Sequence, residues 1–213
     1  MTHKPIETIN YKGFSINIYQ DDDCESPDNW ENNDAFIVYD HRQFNVERKG
    51  FDPETIFEHI QETKKFFYDG YFVFPLYAYI HSGVSLSLGN SCYPFTDRWD
   101  VSTTGFVLVK RAKYTWTRTI SEKLAQSIVN VWNDYLSGNV YGFQIEDKDG
   151  NDIDSCWGFY GNYNDNDMLT DAKSDIDCHI RNARKSHFTQ LKTWIKNRVP
   201  LYVRKPLSSN LAS

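Results

Sequence analysis

Two runs with apolar residues at alternating positions, Val140 to Glu146 and Asn151 to Phe159, flank the tetrapeptide Asp147-Lys148-Asp149-Gly150. Strand side chains alternate between faces, and an Asp-rich segment ending in glycine supplies a turn, so this stretch predicts a β-hairpin. A hairpin commits its strands to antiparallel pairing. The tetrapeptide superficially resembles a calcium loop. Its glycine falls at the wrong place and no closing Glu follows, so it reads as a turn. The second strand carries Asp154-Ser155-Cys156-Trp157-Gly158-Phe159-Tyr160-Gly161, with a thiol, three aromatics and two glycines in eight residues. Simple alternation puts Trp157 and Phe159 on one face, with Trp157 expected in the core.

Other segments carry the same period. Phe14, Ile16 and Ile18 alternate with polar residues, as do Val84, Leu86 and Leu88 after a His81-Ser82-Gly83 turn. Ala35–Tyr39 and Gly105–Val109 read as short, fully apolar strands. Tyr71 to Ile80 is strand-like, but Pro75 cannot donate to a ladder, so an edge or bulged strand is expected. Asp52-Pro53-Glu54 predicts a helix start, with Ile56, Phe57, Ile60 and Phe67 on one face and Asp69-Gly70 as its end. Thr119 and Glu122 have capping-box spacing. Ile120, Leu124, Ile128, Val131 or Trp132, and Tyr135 follow at helical intervals, and Gly138 closes the segment. Met168, Ala172, Ile176, Ile180, Ala183, His187, Leu191 and Trp194 predict a helix over about 167–198, either continuous or broken near Ser186. The expected fold is α+β: a mainly antiparallel sheet, helices packed on it, and a long basic C-terminal helix. Its parts would be a body over 1–165, an amphipathic helix over 166–200 packed on that body, and a tail over 201–213.

Charge is unevenly placed. Residues 1–177 hold 15 bases against 29 acids, a formal −14, whereas 178–213 hold eight bases and no acid. Arg181, Lys185, Lys192 and Lys196 fall within about 60° of one another on a helical wheel. Such a sector suits a nucleic-acid backbone or an acidic protein face, and equally describes an ordinary solvated face. The acidic segment 21–34 reads first as a solvated loop, with a hard cation or a basic partner as the functional alternatives. Neither a leader-like apolar region nor a membrane-length apolar run occurs, so a soluble cytoplasmic protein is expected.

Cys24, Cys92, Cys156 and Cys178 form no CxxC pair. They are expected as free thiols, mostly small buried residues, and not as a zinc knuckle. A Cys156–His81 pair with Asp100, and Ser82 nearby, is the one arrangement that would make an activated nucleophile. His81, Asp100 and Asp154 are the corresponding metal candidates, though no metal site is expected. No glycine-rich phosphate loop follows a strand, and no cofactor is implied. Tyr160 and Tyr163, in a Gly/Asn/Asp-rich loop, are expected as exposed contact residues.

Several strings occur together in order: Pro75-Leu76-Tyr77-x-Tyr79-x-His81-Ser82-Gly83, Trp99-Asp100 before Gly105-Phe106-Val107, Val140-Tyr141-Gly142-Phe143, the Asp154–Gly161 string, and Leu191 to Leu201. Over about residues 11–205 the chain resembles a family of proteins carried by phages, plasmids and integrative elements. It departs from that pattern over Gly89–Arg98, where six residues separate Cys92 from Trp99. The resemblance implies an accessory gene of mobile DNA and brings no reaction to particular residues. The leading expectation is a non-enzymatic protein that binds a nucleic-acid-handling machine, a nuclease or ribonucleoprotein such as a CRISPR nuclease or restriction enzyme. The alternatives are a thiol enzyme on Cys156 and His81, and direct DNA or RNA binding through 181–205. A homodimer is left open.

Overall fold

The computed structural model describes residues 4–30, 34–89, 101–111, 117–165 and 167–198. In chain order the elements are β1 (Glu7–Tyr11), β2 (Phe14–Gln20), β3 (Ala35–Tyr39), α1 (Pro53–Thr63), β4 (Phe67–Tyr68), β5 (Tyr71–Ile80), β6 (Val84–Leu88), β7 (Val101–Lys110), α2 (Arg118–Leu136), β8 (Val140–Glu146), β9 (Asp152–Tyr160) and α3 (Met168–Arg198). The strands form two antiparallel sheets, so the α+β class holds with its sheet divided in two. The first sheet has the order β1-β2-β8-β9; the second runs β3-β7-β5-β4, with β6 also on β5.

The second sheet is covered on both faces. Ala35, Ile37, Phe74 and Val107 face Ala125, Val129 and Trp132 of α2. The alternate residues Phe36, Val38, Val73 and Leu108 face Ile56 of α1. Burial on both faces explains why β3 and β7 read as continuous apolar runs. The first sheet buries one face only: Ile16, Ile18, Phe143 and Ile145 pack on Met168, Ala172 and Ile176 of α3.

Several expectations are corrected. β5 is an interior strand and not an edge, with β7 on one side and β4 and β6 on the other; the expected bulge is present, as a register shift against β7 between Leu76 and Ala78. Pro75 is tolerated because the β4 pairing reaches only to Phe67, opposite Phe72, and the β6 pairing only to Leu88, opposite Leu76. Its missing N–H falls in the gap between those two pairings, where its carbonyl accepts from the Gly89 N–H at 2.6 Å. α1 ends at Thr63, with Lys64 left-handed (φ 57°) and its N–H on the Ile60 carbonyl. Phe67 therefore lies in β4, edge-on to Phe72 at 5.5 Å. Asp69-Gly70, both with positive φ, form the tight turn between β4 and β5 instead of a helix end. Phe57 points outward, 51% exposed.

α2 is capped by Thr117, not Thr119, its side chain accepting from the Ile120 N–H. Its buried line is Ser121, Ala125, Val129 and Trp132, while Ile120 is 46% exposed. The small residues let the helix approach the sheet, and Leu124 and Ile128 pack at the margins. Asn133 fastens β6 to α2, accepting from the Leu86 N–H at 2.7 Å and donating to the Leu86 carbonyl at 2.9 Å. That contact covers an otherwise open sheet edge.

Candidate interaction surface

α3 is one continuous helix of 31 residues, about 46 Å long. The strands beneath it, five to nine residues long, span only about 17–30 Å. Burial follows from that mismatch. Met168, Ala172 and Ile176 are fully buried and Ile180 partly so. From Arg181 to Trp194 every residue is exposed. The last holds on the body are made by the turn between β1 and β2. Lys12 donates to Asp177 Oδ1 at 2.6 Å and Tyr11 to Oδ2 at 3.4 Å, while Phe14 meets the His179 ring at 5.7 Å. The Lys12 hydrogen bond holds the Asp177 carboxyl below its ordinary range and raises the Lys12 ammonium. This exposed pair marks where the helix leaves the body and contributes little stability.

The basic sector expected from the sequence lies wholly on this projecting half. Arg181, Lys185, Lys192 and Lys196 are exposed. Leu191 and Trp194, expected in the packed apolar stripe, are 43% and 53% exposed, and Phe188, which that stripe did not include, is 45% exposed beside them. The Lys192 ammonium sits 4.5 Å from the Phe188 ring centre, and the Arg198 guanidinium 5.5 Å from that of Trp194. Apolar and basic groups thus form one surface. Exposed aromatics gathered with bases are typical of contact sites and uncommon on an idle helix face.

On β9 a bulge overturns the alternation argument. Gly142 opposes Trp157 and Gly158 together, and Gly158 takes φ 82°. Phe159 and Tyr141 pair on the α3 side. The extra residue turns Trp157 to the opposite face, where it is 48% exposed. Its indole lies over Gly142 and 6.0 Å from the Tyr19 ring. Tyr19, Gln20, Asp21, Asp22, Asp23 and Trp157 line an open hollow of about 320 Å³.

The described part of the acidic loop is anchored across the end of β9. Asp21 accepts from the Gly158 N–H at 3.0 Å, the Tyr160 hydroxyl donates to the Glu25 carbonyl, and Trp30 stands edge-on to Tyr160 at 5.1 Å. Burial first, then the neighbouring Cys24 and carboxylates, pushes the Tyr160 hydroxyl up to about 12. Tyr163 donates to Glu7 at 3.1 Å and packs on Tyr141. Both tyrosines, expected as exposed contacts, are half-buried and fasten the loops.

The thiol candidates are not brought together. Cys156 is exposed on β9 in the first sheet, opposite Phe143. His81 lies at the β5–β6 turn of the second sheet, stacked on Tyr79, and no hydrogen bond joins the two. Asp100 lies outside the described residues. Asp154 accepts from the Ser155 N–H. Among the described residues no three His, Cys, Asp or Glu side chains gather closely enough to hold a metal ion. Cysteines are less buried than expected: Cys24 is half-buried and Cys178 exposed, while Cys92 lies outside the described residues.

A larger hollow of about 710 Å³, lined by Asp40, Glu47, Arg48, Lys49, Asp52 and their neighbours, mixes both signs of charge. The lowered Asp52 carboxyl there is explained by its Thr55 hydrogen bonds at the start of α1. Among the described residues no helix is long and apolar enough to cross a membrane. No protein-family model, curated protein or solved structure matches the chain.

Proposed function

We propose that this chain is a non-catalytic binding protein of the cytoplasm, an accessory of mobile DNA. It would engage a nucleic-acid-handling machine, a nuclease or ribonucleoprotein such as a CRISPR nuclease or restriction enzyme, and change its activity. The observation that carries this reading is the projecting half of α3. Eighteen residues, 181–198, stand outside the body with six bases, no acid and three large exposed apolar side chains. An amphipathic helix offered in this way suits an apolar groove with an acidic rim, or bound nucleic acid beside such a groove. The mobile-DNA context rests on the sequence resemblance alone.

The test is a pull-down of the tagged chain from cells of its native host, with a nuclease-treated sample in parallel. A protein partner that survives digestion supports the reading. Recovery of nucleic acid alone, lost on digestion, would make the helix a direct DNA or RNA binder and overturn it.

A further inference from the structure

The apolar line that α3 buries on the first sheet continues past the end of that sheet. Ile176 and Ile180 lead at helical spacing to Ala183, His187, Leu191 and Trp194, now in solvent. A second α3 is a poor cover for it. Neither helix would offer an acid between Cys178 and Arg198 to answer the other's six bases.

The chain itself carries a surface of the opposite character. Residues 1–177 have a formal charge of −14. On the first sheet, the face away from α3 presents Trp157, 48% exposed, with Tyr19 beside it. The exposed Asp22 and Asp23 border that aromatic floor. A straight helix seated on one face of the sheet cannot return to the other. The α3 that meets this floor must therefore come from another molecule.

We infer that the free half of α3 docks on the Tyr19–Trp157 face of a second copy of this chain. Leu191 and Trp194 lie against the aromatic floor, while Lys192 and Lys196 face Asp22 and Asp23. Apolar contact and cation–aromatic attraction act together there, and the carboxylates set the orientation. Each contact joins two different surfaces, so it is heterologous and leaves a free helix and a free floor at the ends unless a ring closes. The inference does not depend on the proposed function. Self-association would cover the helix that function uses, so a partner would have to displace it.

The test is sedimentation velocity on the full-length, nuclease-treated chain at about 0.05 M and about 0.5 M salt. Expected is association at low salt, weakened at least about tenfold at high salt. Lys192→Glu/Lys196→Glu and Asp22→Lys/Asp23→Lys chains should each associate at least about tenfold more weakly, with unchanged circular dichroism. Mixing the two variants should restore association, because each supplies the native half of a contact that the other lacks. A native chain that stays monomeric at low salt would overturn the inference. So would association strengthened by Lys192→Glu/Lys196→Glu, which would mean pairing between helices, or a mixture no better than its components.

Discussion

Replacing Gly105 by alanine probes the packing of the second sheet under α2. Gly105 lies in β7 opposite Tyr39, where the extended backbone admits alanine. A Cβ there would stand 2.7 Å from Tyr39 Cε2 and 2.8 Å from Cγ, and nearer still to Cδ2. Carbon atoms pack at about 3.5–4.0 Å, so the ring must retreat by roughly 1.5–2 Å. It has no room to do so. Tyr39 is fully buried, its ring lies 5.3 Å from Phe44, and Phe44 stands edge-on to Trp132 of α2 at 5.8 Å. Overpacking of this kind costs roughly 1–3 kcal/mol, and a fully buried ring backed by Phe44, itself held by Trp132, belongs at the upper end. For a chain of this length about 3 kcal/mol lowers the melting temperature by about 6–12 °C. Urea unfolding followed by circular dichroism measures the loss directly. Gly83→Ala is the control: nothing lies within 4 Å of its Cβ and its φ is not left-handed, so a change within about 0.5 kcal/mol is expected. Adding Tyr39→Leu to Gly105→Ala should cost less than the two changes separately, by at least about 1 kcal/mol. A Gly105→Ala chain that unfolds at the native midpoint, or a strictly additive pair, would refute the packing argument.

Gly142→Ala should displace the indole of Trp157, because the new Cβ would meet Trp157 Cδ2 at 2.6 Å and the Cys156 carbonyl oxygen at 2.9 Å. The fluorescence difference between chains with and without Trp157→Phe should then shift to longer wavelength in the Gly142→Ala background, and an identical difference spectrum would count against it. Asn133→Leu removes both links to Leu86 and strands an edge-strand N–H and carbonyl, at a cost of about 1–3 kcal/mol; the Leu86 amide should exchange faster, and unaltered protection would contradict the role given to Asn133. Asp52→Ala should cost about 1 kcal/mol through loss of the α1 cap. The Thr55 hydroxyl and N–H lower the folded-state Asp52 pKa, so the cap's contribution is present above about pH 4 and fades as pH falls through the lowered value. An Asp52→Ala penalty that persists undiminished in strong acid would show that the carboxylate is not its source.

Local pattern sufficed where one period ran unbroken and the ends were marked. β3 and β6 have the bounds their apolar runs suggest, and the β8–β9 hairpin turns at Asp147–Gly150. Pattern failed where tertiary pairing decided. Phe67 fits a helical stripe after Ile60, but its pairing with Phe72 and the left-handed Lys64 draw it into a strand. Trp157 breaks the period-2 argument because one inserted residue reverses every side chain beyond it. The sequence was also silent on where the first sheet ends beneath α3, since the apolar spacing continues unchanged to Trp194. One signal was available. The last acid of the chain is Asp177, and the helix leaves the body within one turn of it. The basic composition after Cys178 therefore coincides with the exposed half, and the exposed Phe188, Leu191 and Trp194 could have been suspected from it.

The most direct test of the docking role of α3 compares the native chain with a Lys185→Glu/Lys192→Glu/Lys196→Glu chain in a pull-down from native host cells after nuclease treatment. These side chains are exposed, so the melting temperature should stay within a few degrees of the native value. The account predicts that the native chain retains a protein partner and that the charge-reversed chain loses it. Equal recovery of the same partner by both chains would contradict it.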